Sequence, residues 1–450
     1  MLSRSIRWFI LRLVELFYPR IELRGGERLP PPGQLLFVAN HPNGLLDPLV
    51  LMAGVRREIA FLGKSTFFAN PIGRALMAAF GALPVYRQRD EGLDGGARGD
   101  RADRNEATFA RCRELLQQNR ALALFPEGTT HSHTQMLPLR TGAARIALSA
   151  EAEVSWRMDL QIVPVGLWYQ NKSLFRSSVL VVVGQPLTID DLAPLYASDP
   201  RAAVNALTDR IDAALDAVVL QAENAEVLRG IPQVAIWTAE REPQTLEEQH
   251  ARAAELLAAH TRLRANDPAR LAAIEGRARR YARVLRTLGV SDPWDLELNE
   301  ARRGRLIWLA LLLIAGLPAA LAGALLSYGP YRLAAPLTPV LLGKYEETTS
   351  TGKLIIGSVL VALGYLVAAV ICGALLGAGW GLALLALAPA LGYAALRWGE
   401  LWREFREAAG YTWLALRHAT MVRELAARRR ALADDVAAAV RDSLEAERIG

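Results

Sequence analysis

The pattern of apolar and polar residues changes several times along the chain, and its first part, residues 1–18, is amphipathic. At 100° per residue, the charged and the apolar side chains of this stretch fall on opposite sides. The charged side carries Arg4, Arg7, Arg12 and Glu15, and the apolar side carries Ile6, Phe9, Ile10, Leu13 and Phe17. The charged residues interrupt the apolar run, which is not typical of a signal peptide. Residues 1–20 are predicted to form a helix at a membrane interface, and the alternative is a helix packed on its own domain.

Residues 34–186 alternate short apolar runs with helical patterns, which predicts an α/β domain over residues 21–198. Asn105–Gln118 is predicted to be a helix, and the glycine-rich stretch Glu91–Asp100 a flexible loop. Four strands run directly into polar clusters at the sheet edge where open α/β sheets bind ligands. The predicted strands are Gln34–Ala39, Ile59–Leu62, Leu83–Tyr86, Ala121–Phe125, Leu160–Leu167 and Ser178–Val183.

Residues 199–303 are rich in Ala, Leu, Arg and Glu at helical spacing, which predicts a helical region. Breaks are expected at Gly230-Ile231-Pro232 and at Asp267-Pro268. His250 and His260 fall on helix faces that the pattern predicts to be solvated. Neither histidine belongs to a catalytic group of residues, so this region is not expected to carry the chemistry.

Two uncharged stretches within residues 304–397 predict membrane spans. Leu306–Tyr331 has 26 residues and Leu354–Leu396 has 43. Since about 20 residues cross the bilayer core, the first fits one crossing and the second fits two if it turns at Gly377-Ala378-Gly379. Arginines on both flanks favour the cytoplasm, which conflicts with an odd number of crossings. Either Leu333–Gly343 is re-entrant or the longer stretch is not two full spans. The residues after the spans, 398–450, are predicted to form a basic helical tail.

The overall composition narrows the class of protein. Of the 450 residues, 52% are hydrophobic, which excludes a disordered chain. Cys112 and Cys372 lie far apart, which excludes a disulfide framework and a zinc or redox motif of the C-x-x-C type. The net charge of +6 suits a surface beside anionic lipid. Nucleic acid is not an expected partner, because no basic stripe carries interleaved aromatic residues.

The first polar cluster, from Asn40 to Pro48, contains a histidine and an aspartate that form a candidate general base. If Asp47 binds one ring nitrogen of His41, it fixes the tautomer and stabilises the imidazolium that forms when a substrate hydroxyl loses its proton. This chemistry requires no Ser or Cys nucleophile. The alternative is structural: Asp47 followed by Pro48 is also typical of a helix N-cap with proline at the first helical position.

The second cluster, from Gly81 to Arg89, brings two arginines out of a predicted strand. Arg87 and Arg89 are two residues apart, so their side chains share a face in an extended segment. A guanidinium group can donate two parallel hydrogen bonds to the oxygens of one phosphate, which indicates a phosphorylated substrate. Lys64 follows another strand and supplies a further positive charge, and the alternative for each of these residues is an ordinary surface charge.

The third cluster extends from Leu124 to His133 and continues at Leu137 to Arg145. A helix is expected to begin near Thr141, where free amides around Arg140–Gly142 could bind a thioester oxyanion or a phosphate. Glu127 is a candidate to position a polyol hydroxyl or an arginine. The pair His131-x-His133 suggests zinc only weakly, because no further ligands cluster near it. A fourth segment, Ile162–Gly166, is apolar and indicates a wall of the substrate site.

Taken in order, these segments resemble the four sequence blocks of the glycerolipid acyltransferase family. The blocks are Asn40-His41 with Asp47, Gly81-x5-Arg87, Phe125-Pro126-Glu127-Gly128 and Val163-Pro164-Val165. The resemblance covers residues 34–186 and implies an α/β domain with a central mixed sheet and flanking helices. It also implies acyl transfer from acyl-CoA or acyl carrier protein to a glycerol phosphate, with His41 as base, Asp47 as its partner and no metal or other cofactor. The residues predicted to bind substrate are Asn43, Lys64, Arg87, Arg89, Glu127, Gly128, Thr129 and Arg140.

The sequence departs from the family pattern at two points. Five residues separate His41 from Asp47, where the usual block has four. Phe-Pro-Glu-Gly is followed by Thr129-Thr130-His131, where lysophosphatidate acyltransferases usually have Thr-Arg-Ser. The continuation from Leu137 and the membrane-embedded tail are more similar to glycerol-3-phosphate and dihydroxyacetone-phosphate acyltransferases of fungi and bacteria. This branch implies a lysophosphatidic acid product.

The resemblance further implies an integral protein of the cytoplasmic membrane whose catalytic domain faces the cytoplasm. A site beside lipid suits a reaction whose acyl chain and product are hydrophobic. Three alternatives stay open: a lysophosphatidate acyltransferase, a catalytically silent membrane scaffold that binds lipid or acyl-CoA, and a thioester hydrolase.

Overall fold

The computed structural model describes residues 2–69, 71–86, 101–241, 245–290, 294, 300–342 and 346–449. Its contacts divide the chain into two units, which are treated separately below. The first unit comprises Met1–Ala225 together with Lys344–Leu354, and the second comprises Glu226–Gly343 and Ile355–Gly450. Arg87, Arg89 and the predicted loop Glu91–Asp100 lie outside the described residues.

The first unit is built on a mixed sheet that contains seven strands among the described residues. In sheet order they follow β1-β7-β6-β2-β5-β3-β4. Strands β2 to β6 run parallel to one another, whereas β7 pairs antiparallel to β6 and parallel to β1. In chain order the strands are β1 Arg20–Arg24, β2 Leu35–Ala39, β3 Ile59–Lys64, β4 Leu83–Val85, β5 Ala121–Leu124, β6 Gln161–Tyr169 and β7 Ser178–Val183.

Helices cover this sheet, as expected for the α/β class. They are α1 Leu2–Phe17, α2 Leu46–Val55, α3 Pro71–Ala79, α4 Arg101–Gln117, α5 Gly142–Glu153, α6 Ala193–Ser198 and α7 Pro200–Asp216. Helices α1 and α2 pack on each other, and α2 also contacts β1 and β7. The fully buried side chains of Phe37 and Phe61 from the sheet meet Val50 from α2 in one apolar core. The predicted mixed sheet with flanking helices is confirmed.

The six predicted strands are all present; Ser178–Val183 has the predicted bounds, and the ends of the other five differ by one or two residues. Strand β1 was not predicted, because three of its five residues are charged and only Ile21 and Leu23 face the core. It lies at the edge of the sheet, where charged residues are common. The apolar segment from Ile162 to Gly166 forms the middle of β6 and is wholly buried in the sheet.

The amphipathic segment forms α1 and packs on its own domain. Val14 and Phe17 are buried in the core, and Ile6 and Ile10 pack against it. Trp8 and Phe9 remain 61% and 55% exposed, so two large apolar side chains project away from the domain. These exposed residues are suited to insertion into a membrane interface.

The second unit is helical. Its helices are α8 Ala225–Trp237, α9 Leu246–Asn266, α10 Pro268–Leu288, α11 Glu300–Leu342, α12 Glu346–Leu376, α13 Ala378–Arg417 and α14 Ala419–Ile449. Of α12, only the part from Ile355 belongs to this unit. The break at Asp267-Pro268 is confirmed, and the Asp267 carboxylate caps α10 by accepting from the amide of Arg270. The expected break at Gly230-Ile231-Pro232 is wrong, because α8 continues through Pro232.

The prediction that His250 and His260 are solvated is also wrong. Both are buried, and the Nε2 atom of His260 lies 3.2 Å from Glu275 on α10. Helices α9, α10 and α14 pack together, so the face of α9 that bears these histidines is covered. The alanine-rich pattern did not separate the covered face from the solvated one, because alanine is compatible with both.

Among the described residues, three helices are long and apolar enough to cross a membrane. They are Gly304–Leu341, Thr349–Leu376 and Ala378–Arg417. The expected turn at Gly377 is confirmed, with a φ of +106° that favours glycine. The segment from Leu333 to Leu342 is the end of α11 and not a separate re-entrant piece. These features indicate a membrane-associated chain.

Candidate active site

The polar clusters meet because three neighbouring parallel strands end at one edge of the sheet. Strand β2 lies between β6 and β5, and it delivers the first cluster directly after Ala39. The side chain of Asn40 fixes this end by pairing with the backbone of Leu167 in β6. Its Oδ1 accepts from the Leu167 N–H at 2.7 Å, and its Nδ2 donates to the carbonyl at 3.2 Å. The loops after β2, β5 and β6 therefore share one crevice.

His41 and Asp47 form a hydrogen-bonded pair in this crevice. The Nδ1 atom of His41 lies 2.8 Å from Oδ2 of Asp47. The ring of His41 is stacked on Phe125, with ring centres 4.2 Å apart and planes 21° from parallel. The carboxylate is fully buried, whereas the imidazole is 19% exposed. The pair therefore has a fixed ring plane, a buried anion and a ring that reaches solvent.

Within the described residues, the hydrogen bonds of the Asp47 side chain hold the carboxylate in position. Oδ2 also accepts from the main-chain N–H of Asn43 at 2.7 Å, and Oδ1 accepts from the Tyr169 hydroxyl at 2.7 Å. Asp47 is therefore not the N-cap of α2. The helix begins at Leu46 after Leu45, without a side-chain cap, and Asp47 lies within its first turn. The N-cap interpretation is wrong because the carboxylate points back into the loop.

The five-residue spacing between His41 and Asp47 is accommodated by a turn at Gly44. Gly44 has a φ of +57°, and the carbonyls of Asn43 and Gly44 accept from the amides of Leu46 and Asp47. A positive φ is favourable for glycine and costs other residues energy. The additional residue is thus absorbed before the helix, and the two side chains still pair.

Tyr169 at the end of β6 is a neighbour of Asp47 that sequence reasoning missed. Burial, with a smaller contribution from the charge of Asp47, raises the pKa of the Tyr169 hydroxyl well above its usual value. The hydroxyl therefore stays protonated and keeps donating to the carboxylate.

We expect Tyr169→Phe to lower the free energy of unfolding by about 1.5–3 kcal/mol, because it removes a hydrogen bond to a buried carboxylate. The raised pKa in the folded state means that this stabilisation is complete below about pH 10 and declines above it, where the tyrosine of the unfolded chain ionises. Thermal unfolding of the wild type and the variant in detergent between pH 7 and pH 10.5 checks this. A difference that is absent at pH 7, or that grows above pH 10, would contradict it.

Glu127 joins the loop after β2 to two further points of its own loop, between β5 and α5, by its buried carboxylate. Oε1 accepts from the main-chain N–H of His41 at 3.0 Å. Oε2 accepts from the main-chain N–H of Leu137 at 2.9 Å and contacts Nε2 of His131. The side chain is 1% exposed, and its hydrogen bonds hold the backbone at His41 and Leu137 in place. Both carboxylate oxygens of Glu127 have protein partners. The predicted contact of Glu127 with the acceptor stays a prediction.

Gly128 is required where the loop after β5 passes Arg140. It has a φ of +69°, and a Cβ atom there would lie 2.6 Å from the side chain of Arg140. Thr129, next in the chain, is half-buried.

The expected helix start is confirmed, since α5 begins at Gly142 with Thr141 before it. The amide of Arg140 donates to the carbonyl of Pro126 at 2.8 Å, so this amide does not belong to an anion site, whereas the guanidinium is exposed.

Two lysines lie at the same edge of the sheet. Lys64, a predicted substrate ligand, is the last residue of β3 and is half-buried. Lys172 was missed, although it is one of only four lysines and follows β6 by three residues. Its Nζ donates to the carbonyl of Pro42 at 3.2 Å and to Oγ of Ser132 at 2.6 Å. Lys172 thus places a positive charge between the loops after β2, β5 and β6.

His131 makes its contacts within the loop between β5 and α5. It contacts Glu127, and its Nδ1 accepts from the main-chain N–H of His133 at 3.2 Å. Within the part of the chain that the structure describes, no group of three or more His, Cys, Asp or Glu side chains is placed to hold a metal ion.

Comparisons with known proteins find similar acyltransferases. The family model described as Acyltransferase matches residues 20–168. An uncharacterized acyltransferase of Schizosaccharomyces pombe is 27% identical over 49% of this chain, and glycerol-3-phosphate O-acyltransferase 1 of Saccharomyces cerevisiae is 26% identical over 49%. Human 1-acyl-sn-glycerol-3-phosphate acyltransferase beta is 27% identical over 44% of this chain and 66% of its own length.

Residues 20–168 are therefore an acyltransferase family domain, and relatives named as glycerol-3-phosphate and 1-acyl-sn-glycerol-3-phosphate acyltransferases align with it. The aligned region spans only 44% and 40% of the length of the two yeast relatives. The family is thus shown for the domain that contains His41 and Asp47. The activity and the substrates of the whole protein are taken up below as proposals.

Proposed function

We propose that the chain transfers a fatty acyl group from an acyl thioester to a hydroxyl of a glycerol phosphate at a membrane. The observation that carries this proposal is the buried Asp47 paired with the partly exposed ring of His41 at the carboxyl ends of parallel strands. The family of the domain supports the reaction class. The favoured acceptor hydroxyl is sn-1 of glycerol 3-phosphate or the corresponding hydroxyl of dihydroxyacetone phosphate, and the product is then a lysophosphatidic acid or its dihydroxyacetone counterpart.

His41 acts as the general base through Nε2, because Nδ1 is bonded to Asp47. As the acceptor oxygen attacks the thioester carbonyl carbon, its proton moves to Nε2. The tetrahedral intermediate then collapses, the carbon–sulfur bond breaks, and the leaving thiolate takes the proton from the imidazolium. Asp47 stabilises the imidazolium in between, and no covalent acyl-enzyme is formed.

Positive side chains at the same edge of the sheet hold the acceptor phosphate. Arg140 and Lys64 are the described members of the predicted set, and Lys172 adds a third charge next to the loop of His41. Arg87 and Arg89 complete the predicted set from outside the described residues. A guanidinium or ammonium near a phosphate forms charge-assisted hydrogen bonds, which are stronger than neutral ones.

The acceptor is the finer part of the proposal. Relatives named for glycerol 3-phosphate and for 1-acylglycerol 3-phosphate both align with the domain. The glycerol-3-phosphate type is favoured by the sequence after Gly128, and the lysophosphatidate acyltransferase is the second candidate. Acyl-CoA or acyl carrier protein supplies the acyl group as co-substrate. We further propose that the protein lies in the inner membrane with the acyltransferase domain on the cytoplasmic side.

We expect detergent-solubilised protein to transfer label from acyl-CoA to glycerol 3-phosphate or dihydroxyacetone phosphate at least about 10-fold faster than to lysophosphatidate. Product analysis after incubation with each acceptor separately checks this, with acyl carrier protein as a second donor. Transfer mainly to lysophosphatidate would keep the mechanism and change the acceptor. Label released as free fatty acid without an acceptor would instead indicate a thioester hydrolase, and binding without turnover on any acceptor would indicate a silent scaffold.

A further inference from the structure

A second set of hydrogen bonds connects the catalytic loop with two elements that are suited to contact membrane. It centres on the main-chain carbonyl of Lys172. This carbonyl accepts from the Tyr18 hydroxyl at 2.5 Å and from the Ser350 hydroxyl at 2.6 Å. Both donors belong to the first unit, as does the loop that carries the carbonyl.

Tyr18 extends this set to the catalytic pair. Its hydroxyl accepts from Nδ2 of Asn43 at 2.8 Å, and the main-chain N–H of Asn43 donates to Asp47 at 2.7 Å. Tyr18 and Asn43 are both fully buried. Burial raises the pKa of Tyr18 above its ordinary value, so the hydroxyl keeps the proton that it donates to Lys172. The path from the carbonyl to the carboxylate therefore contains no exposed group.

The two donors come from the ends of elements that are suited to contact a membrane. Tyr18 directly follows α1, which carries the exposed Trp8 and Phe9. Ser350 is fully buried near the beginning of α12, whose residues from Thr349 form a candidate span. Lys353, one turn further, donates to the carbonyl of Ser173 at 2.8 Å and holds the same turn on the same loop.

We propose that Tyr18 and Ser350 are positioning residues for acyl transfer, which act on the His41–Asp47 pair through Lys172 and Asn43. The N-terminal part of α12 and the residue that follows α1 thereby hold the proposed base in place. The position of the base matters for the rate, because a displacement of about 1 Å in a catalytic group can cost about 100-fold in rate. This inference rests on the proposed role of His41 as base.

The test compares Ser350→Ala and Tyr18→Phe with the wild type, in detergent and per mole of folded protein. We expect Ser350→Ala to lower kcat about 10-fold and Tyr18→Phe about 30-fold, with KM for the acceptor within about 2-fold of wild type, because the base is displaced and the acceptor site is not. Ser350→Thr keeps the hydroxyl and should recover most of the rate. Thr351→Ala is the matched control, since the Thr351 hydroxyl is buried next to Ser350 without a hydrogen-bond partner in the described part of the chain.

The double variant tests whether the two hydroxyls act along one path. If they do, Tyr18→Phe with Ser350→Ala loses no more than Tyr18→Phe alone, whereas independent effects multiply. A wild-type kcat in Ser350→Ala, an equal loss in Thr351→Ala, a rise in KM without a fall in kcat, or multiplying losses would overturn the proposal. Absence of transfer by the wild type to every acceptor is a different result, which overturns the proposed function itself.

Discussion

His41→Ala is expected to lower kcat for acyl transfer about 1,000-fold, because the variant has no group that takes the proton of the acceptor hydroxyl. The ring stacks on Phe125 and is held by Asp47, so the substitution removes the proposed base from a fixed position. KM for the acceptor should change little, because the imidazole acts in the transition state and does not bind the phosphate. Initial rates with labelled acyl-CoA and the best acceptor measure both parameters.

Asp47→Asn should have an effect of similar size by a different route. An asparagine amide can offer a donor where His41 Nδ1 needs an acceptor, which favours the wrong tautomer of the ring. His418→Ala is the control, because His418 is an exposed histidine at the end of α13. Rates near wild type in both His41→Ala and Asp47→Asn would show that the pair is a structural element of the loop.

The positions of the strands and the meeting of the clusters could be predicted from the sequence because both follow from local patterns. Apolar runs mark β2, β5 and β6, and parallel strands bring their carboxyl ends to one edge. His41 and Asp47 could be paired in advance because only five residues separate them in the chain. Strand β1 could not, since its charged residues are typical of a loop, and its place depends on pairing with β7.

Other parts of the site depend on contacts between distant segments, which one sequence does not contain. Tyr169 is 122 residues from Asp47, and Lys172 is 130 residues from Pro42. The burial of His250 and His260 is likewise decided by α10 and α14, which pack on the same helix. The N-cap interpretation of Asp47 failed because α2 begins at Leu46, one residue before Asp47, and the carboxylate pairs with His41, the Asn43 amide and Tyr169.

Glu127→Gln is expected to lower kcat at least about 100-fold, with KM for the acceptor within about 3-fold of wild type. The buried carboxylate accepts from the amides of His41 and Leu137 and contacts His131. An amide group cannot accept at both ends, so at least one of these donors faces another donor, and the loop that carries the base moves. The expected loss is therefore in the catalytic step, which steady-state kinetics on folded protein resolves.

Glu151→Gln separates this effect from lost stability. Glu151 is also a fully buried carboxylate, and it accepts from the amides of Met158 and Leu160 at 3.1 and 2.7 Å, away from the crevice. Both variants should lose about 1.5–3 kcal/mol of unfolding free energy, since each leaves a buried donor unpaired. Only Glu127→Gln should lose kcat per folded molecule. If Glu127 instead binds the acceptor, as the sequence predicted, KM rises in that variant while kcat at saturating acceptor is retained, because acceptor binding and loop geometry affect different kinetic constants.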